Sequence, residues 1–186
     1  MGLVKVNTIA DIFIGTYPFA ESLWDNVGQT LKNYPDQQNR ETNVQATMTE
    51  WDWEPNNVHI KKLKTYIINE FDKNFKYSYR HANDEGILEN VEKYVKCNNF
   101  WANIYRKGDY TKQHTHFPYS FSFVYFLKTK WYYSPLVFSD SKKRVRPADG
   151  KFVIFPSYMK HGVPKHRYNE PRITLSGNIQ VLKLYH

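Results

Sequence analysis

Gln113-His114-Thr115-His116 decides how the rest of this chain is read, because two later elements fit it as parts of one metal site. The first is His161, which follows the apolar run Phe152-Val153-Ile154-Phe155 and a turn at Pro156. The second is Arg172, at the head of Arg172-Ile173-Thr174-Leu175-Ser176-Gly177-Asn178. On a β-strand, side chains alternate with period two, so His114 and His116 are expected on one face. A third histidine from a distant strand closes a triangle around an ion, and imidazole nitrogens suit zinc, copper, iron and nickel. The arginine adds a planar, permanently charged fork that holds a carboxylate bidentately.

Composition bounds the setting. The 186 residues fit one domain with a core of its own, residues 1–99 as a helical and mixed cap and 100–186 carrying the site. Cys97 is the sole cysteine, which excludes an internal disulfide and a cysteine-based zinc cluster and fits a reducing compartment. The N-terminal residues lack the long apolar run of a secretory signal, and no stretch approaches the length of a membrane span. A soluble, cytoplasmic protein without a membrane partner is expected. The net charge of +8 admits a nucleic-acid partner without favouring one, because the lysines are scattered. The denser run Lys142-Lys143-Arg144-Val145-Arg146 has the look of a hairpin tip whose charge keeps a sheet edge soluble.

Periodicity divides the chain. Val4 to Ile14 suggests a strand. Phe19, Leu23, Val27 and Leu31 form a helical stripe within 18–34 that Pro35 ends. Asp36 to Thr49 suggests a loop and a short strand, and Asn57 caps a second helix with Ile60, Leu63, Ile67, Phe71 and Phe75 on one face. Tyr77 to Asn90 stays ambiguous around the turn Asn83-Asp84-Glu85-Gly86. From Phe100 onward short strands alternate with turns: 100–105, 119–127, 135–138, 151–155 and 172–181, with a further short one over 181–185. The fold class expected is α+β, mainly β, with a jelly-roll core.

Within the last major strand, Arg172, Thr174, Ser176 and Asn178 share a polar face opposite Ile173, Leu175 and Ile179. Such a face meets either water or a wet pocket, and an arginine at its head just after His161 favours the pocket. Asn103 and Tyr105 project together from the preceding strand, where a buried tyrosine hydroxyl wants a partner. His59, His81, His166 and His186 show no such partnership and are expected to be exposed. The aromatic stretches Trp51-Asp52-Trp53 and Thr129 to Tyr133 suit lids or plugs over a core.

Taken in order, Asn103 to Gly108, His114-Thr115-His116, Gly150 to Pro156, His161-Gly162-Val163 and Arg172 to Asn178 resemble the 2-oxoglutarate/Fe(II)-dependent oxygenases. The small prolyl-hydroxylase-like branch found in bacteria and their phages is the nearest likeness, over roughly Phe100 to Ile179. The resemblance implies a double-stranded β-helix with N-terminal helices, Fe(II) and 2-oxoglutarate as cofactors, and O2 as co-substrate. His114 and His161 match metal ligands, and Arg172 matches the partner of the far carboxylate of 2-oxoglutarate. Asn103, Tyr105, Thr174 and Tyr125 are cosubstrate candidates, although Tyr125 shares the parity of Phe121 and Phe123 and equally suits a core. No catalytic group beyond the metal ligands is implied, and no substrate-binding residue is assigned.

His116 stands where most of that superfamily has Asp or Glu. Either it binds the metal itself, or water, Asp109 or Asp140 completes the set. Imidazole ligands must be neutral, so metal affinity is expected to fall as pH drops through about 6.5. The activity implied is hydroxylation of a C–H bond coupled to decarboxylation to succinate. A peptidyl prolyl or other amino-acid residue is the favoured substrate, ahead of a small molecule. The alternatives are a nucleic-acid demethylase of the same superfamily and a non-catalytic cupin-like metal-binding or interaction module, against which Arg172 argues.

Overall fold

The computed structural model describes residues 10–36, 42–53, 56–75, 80–82, 88–90 and 93–183. Most of the strand expected over Val4 to Ile14 lies outside these residues, as does the turn at 83–86. The first elements are β1 (Phe13–Thr16), α1 (Ala20–Lys32), β2 (Val44–Gln45), β3 (Thr47–Met48) and α2 (Val58–Asn74). The ambiguous stretch contains β4 (Arg80–Ala82) and β5 (Leu88–Asn90), which pair antiparallel. β6 (Lys93–Tyr105), β7 (Tyr110–His114), β8 (Phe121–Lys128), β9 (Leu136–Phe138) and β10 (Arg144–Val145) come next. β11 (Lys151–Pro156), β12 (His161–Val163) and β13 (Arg172–Lys183) complete the order.

The main strands form two sheets. One has the order β1-β11-β8-β13-β6-β3 and the other β10-β9-β12-β7-β2. Alternation assigns the two faces of the larger sheet. Phe100, Ala102 and Ile104 of β6, Phe121, Phe123, Tyr125 and Leu127 of β8, and Ile173, Leu175 and Ile179 of β13 share one core with the helices. Leu23, Val27 and Leu31 of α1 and Ile60, Leu63, Ile67 and Phe71 of α2 supply the helical side of that core. The intervening residues, among them Trp101, Tyr105, Phe126, Val153 and Phe155, join Leu136, Phe138 and Val163 of the smaller sheet in a second core. The site lies in this second layer, between the sheets.

Local signals explain the helices. The Asn57 side chain accepts the backbone N–H groups of His59 at 2.8 Å and Ile60 at 3.4 Å, the cap its sequence position requires. α1 starts without a side-chain cap after Phe19 and is held by its apolar stripe instead. Two expectations about strands change. β6 begins at Lys93, seven residues before Phe100, and β13 runs unbroken to Lys183 where two strands were expected. Both extensions come from mutual pairing, Lys93↔Lys183 through Arg172↔Tyr105, a long-range register that local patterning does not record.

Candidate metal and carboxylate site

The polar face of β13 lines a pocket. Arg172, Thr174, Ser176 and Asn178 are all buried, and they pair in register with Tyr105, Asn103, Trp101 and Asn99 of β6. Asn103 donates through Nδ2 to Ser176 Oγ at 3.1 Å, which ties the two strands across the floor. Trp101, Asn103, Tyr105, Thr111, His114, His116, His161, Arg172, Thr174 and Ser176 border the same cavity, whose empty volume is about 410 Å³.

Each histidine arrives by a different route. β7 pairs with β12 through Thr111↔Val163 and His114↔His161, three residues on β7 against two on β12. That bulge lets both Thr111 and His114 turn inward. Gly162 allows the strands to meet there, since a Cβ on it would lie 2.8 Å from the Thr111 carbonyl. His116 is not on a strand. β7 ends at His114, and His116 is held by its own N–H, which donates to Ser157 O at 2.8 Å. The i, i+2 pair therefore shares a face through a loop anchored to the end of β11.

The three rings offer ligand atoms that all lie within 4.8 Å of one another. His114 Nδ1 donates to Lys112 O and His161 Nδ1 donates to Met159 O, each at 2.8 Å. A carbonyl only accepts, so both rings carry their proton on Nδ1 and present a bare Nε2. Backbone partners of this kind fix tautomer and orientation in metal-ligating histidines. His114 Nε2 and His116 Nε2 are 3.2 Å apart, close enough for one shared proton until an ion takes its place. Burial lowers the pKa of all three. His116 and His161 are pushed down to about 3, burial being the main cause and the neighbouring imidazoles the next. His116 and His161 are neutral far below 6.5 and His114 is shifted the same way, so the acid limit for metal binding moves down from where the sequence alone put it.

At the other end, Arg172 is 1% exposed, yet none of its three guanidinium nitrogens has a hydrogen-bond partner. Its guanidinium carbon lies 4.7 Å from the centre of the Tyr105 ring and 5.4 Å from that of Phe126. Tyr105 spends its hydroxyl on Thr111 Oγ1 at 2.7 Å. Burial lowers the arginine pKa, the cost of desolvating its charge, and the neighbouring Tyr105 hydroxyl offsets part of that shift. Asn103 Oδ1 and Trp101 Nε1 are likewise buried without partners. Three converging imidazoles, a guanidinium without a hydrogen-bond partner and spare polar atoms around one cavity fit a divalent metal together with a carboxylate ligand.

Other candidates fall elsewhere. Tyr125 lies on the opposite face of β8, in the core shared with the helices, and stays outside the cavity. Asp109 accepts the Arg106 N–H in the turn at Gly108 (φ 96°), and Asp140 is exposed in the β9–β10 connection. Among the described residues neither joins the histidine group. His166, expected to be exposed, is buried. Its Nε2 donates to Glu170 O at 2.8 Å and its ring packs on Tyr133 and Tyr168. Its partners come from the loops around it, which its own sequence neighbourhood does not reveal. Trp101 and Ser176 are additions to the lining that alternation alone points to. Trp53 stacks on Phe100, so that part of the tryptophan pair is a plug.

A family model described as "Putative 2OG-Fe(II) oxygenase" matches residues 138–178, a stretch that contains His161 and Arg172. No curated protein matches the sequence. The fold is similar to that of a viral collagen prolyl hydroxylase from Paramecium Bursaria Chlorella virus-1, solved as a 2OG complex. That likeness has TM-score 0.63 and 13% identity and covers 90% of this chain and 94% of that one. A Pseudomonas putida prolyl-4-hydroxylase is similar at TM-score 0.63 and 13% identity, over 91% of both chains. An oxidoreductase of the 2OG-Fe(II) oxygenase family from Burkholderia pseudomallei is similar at TM-score 0.59 and 15% identity, over 91% of this chain and 84% of that one. The fold is the double-stranded β-helix, and the family match over 138–178 bears out the resemblance read from the sequence. Among the described residues no helix is long and apolar enough to cross a membrane.

Proposed function

We propose that this chain of the 2-oxoglutarate/Fe(II)-dependent oxygenase type is an active hydroxylase, with His114, His116 and His161 as the metal ligands and Arg172 as the cosubstrate anchor. The observation that carries the proposal is the buried, unpartnered Arg172 guanidinium in the same cavity as three converging imidazoles. An unpaired buried charge is costly, and a carboxylate is the partner that its planar fork matches. When bound, Fe(II) and 2-oxoglutarate would supply the oxidising chemistry that converts O2 and a C–H bond into a hydroxyl group, with release of CO2 and succinate.

The protein's contribution is orientation, neutrality and exclusion of water. His114 and His161 are locked by their backbone carbonyl partners, and burial keeps all three rings in the neutral form at neutral pH. Arg172 would take the distal carboxylate, with Tyr105 and Phe126 shielding it. Asn103, held by Ser176, leaves its Oδ1 free toward the pocket, and Thr174 lines the wall beside it. Phe138 and Phe155 pack against His161 and keep water from that side.

A peptidyl prolyl or other amino-acid residue is the substrate proposed, and the prolyl hydroxylases of similar fold support it. The experiment is an anaerobic Fe(II) titration with and without 2-oxoglutarate. A visible charge-transfer band that appears only with both is expected. Tight iron binding with no band at saturating 2-oxoglutarate would contradict the proposal and favour a non-catalytic metal-binding module.

A further inference from the structure

Residues 141–169 carry eight lysines and arginines and one acid, so +7 (8 − 1) of the net charge of +8 comes from this stretch. The cations are less scattered than the sequence pattern suggests, and the fold gathers them further. The smaller sheet has the order β10-β9-β12-β7-β2, and its five strands contain no aspartate or glutamate. Its inner face turns Thr111, His114 and His161 toward the cavity. Its outer face carries the exposed Arg144 on the edge strand β10 and the exposed Lys112 on β7. Arg144 pairs with Val137, Val137 pairs with Gly162, and Gly162 packs against β7 at Thr111 and Gln113. Three strand spacings, about 14 Å, therefore separate the strands of the two cations.

Further cations frame that row. Lys142 and Lys143 occupy the β9–β10 turn, which Phe138 N closes by donating to Lys143 O at 2.9 Å. Lys142 has φ 54°, a conformation that glycine or asparagine adopts more readily, yet a lysine stands there. Lys160 lies beside this turn, its carbonyl accepting from Ser139 N at 2.9 Å. Toward the start of β7, the Lys165 ammonium lies over the Tyr110 ring, 5.9 Å from its centre. All six cations are exposed, and the ion pairs among the described residues involve none of them.

Charge on β10 alone would serve to keep a sheet edge from pairing. Lys112 and Lys165 lie on or against β7, three strands from that edge, and no acid is interspersed as on an ordinary soluble surface. Repulsion among like charges works against the compact state, and a polyanion relieves it. A protein partner wants an apolar centre to its interface, but none of the exposed large hydrophobic side chains lies on these five strands. Single-stranded nucleic acid wants aromatic faces for its bases, and the strands offer only the half-buried Tyr110 beneath Lys165. The phosphates of a duplex ask only for cations and hydrogen-bond donors. We propose that this outer face docks the phosphate backbone of duplex DNA without regard to sequence, on the side of the smaller sheet opposite the metal cavity.

The test follows the fluorescence anisotropy of a short labelled DNA duplex titrated with the full-length protein, and its outcome does not depend on the oxygenase reading. Affinity is expected to fall about a hundredfold between about 50 and about 200 mM salt, as counterion release from about four phosphates requires. Lys143→Gln with Arg144→Gln should weaken binding at low salt by about tenfold or more and flatten the salt slope by about two. Lys165→Gln should flatten it by about one. Lys61→Gln with Lys62→Gln removes the same net charge at exposed positions of α2, which packs on the larger sheet. This control should change affinity by less than about twofold, because salt screens charges that stand away from the contact. Oligothymidylate and a polyglutamate peptide are tested as competitors. No binding of the duplex, affinity independent of salt, an equal loss in the control pair, or binding of either competitor as tight as that of the duplex would each overturn the assignment.

Discussion

On one face of β13, Ile173, Leu175 and Ile179 are fully buried against β6, β8 and the two helices. On the other face Arg172, Thr174, Ser176 and Asn178 are nearly as deeply buried, but the first three border a cavity and the residues around it keep unsatisfied polar atoms. Equal burial thus hides opposite purposes. The first face gains stability from packed apolar surface, whereas the second gives some up by desolvating polar and charged groups. A protein tolerates such a face where a ligand completes it.

The contrast can be broken most forcefully on the apolar side. Leu175→Ala deletes a fully buried side chain, and should destabilise the protein by roughly 2–5 kcal/mol. Chemical denaturation measures this, and a loss under about 1 kcal/mol would mean that this face is not the packed one.

On the polar side, the largest effect is expected at His116. His116→Ala should lower Fe(II) affinity by more than about tenfold, the lower bound for losing even a supporting partner, while His116→Asp should retain or improve binding by restoring a carboxylate. Iron content after gel filtration reports both. Unchanged stoichiometry in His116→Ala would place this histidine outside the ligand set.

Arg172→Met sharpens the comparison differently, because it removes an unpaired buried charge. The metal-free variant should be as stable as wild type or more so, since apolar replacement of buried ionic groups is often neutral or stabilising by about 1–4 kcal/mol. A substantially lower melting temperature would instead give Arg172 a structural role.

The smallest effect is a pH dependence. In the unfolded chain histidines protonate near 6.5, whereas His116 and His161 stay neutral in the folded site down to about 3. Between these limits the unfolded chain binds more protons, so the stability of the metal-free protein should fall as pH drops through that window. Melting temperatures recorded from about pH 7 to about pH 5 should decline, and the decline should be shallower in His116→Ala. A slope identical in wild type and variant would contradict the neutral, buried ring.

Legibility in the sequence divides along the same line. The alternation in Arg172 to Ile179 was legible because both faces of one strand contrast in chemistry, and His161 and the His114/His116 pair were legible through order and spacing. Tyr125 was not, because both faces of β8 carry bulky apolar residues and parity alone does not say which faces the pocket. The route of His116 was hidden too, since it depends on a β7 bulge and on Ser157, neither visible without a partner strand. Trp51 and Phe117 border one groove although 66 positions separate them in the chain (117 − 51), a proximity that no local pattern records.

The central claim is that one cavity holds two separable anchors, a metal site of three imidazoles and a carboxylate site at Arg172. Measuring Fe(II) content and 2-oxoglutarate affinity side by side in wild type and Arg172→Met tests it most directly. Iron binding should be nearly unchanged, while 2-oxoglutarate affinity falls by about one to two orders of magnitude, the worth of a charged hydrogen bond of roughly 1.5–3 kcal/mol. Loss of iron with cosubstrate affinity intact would contradict the two-anchor claim.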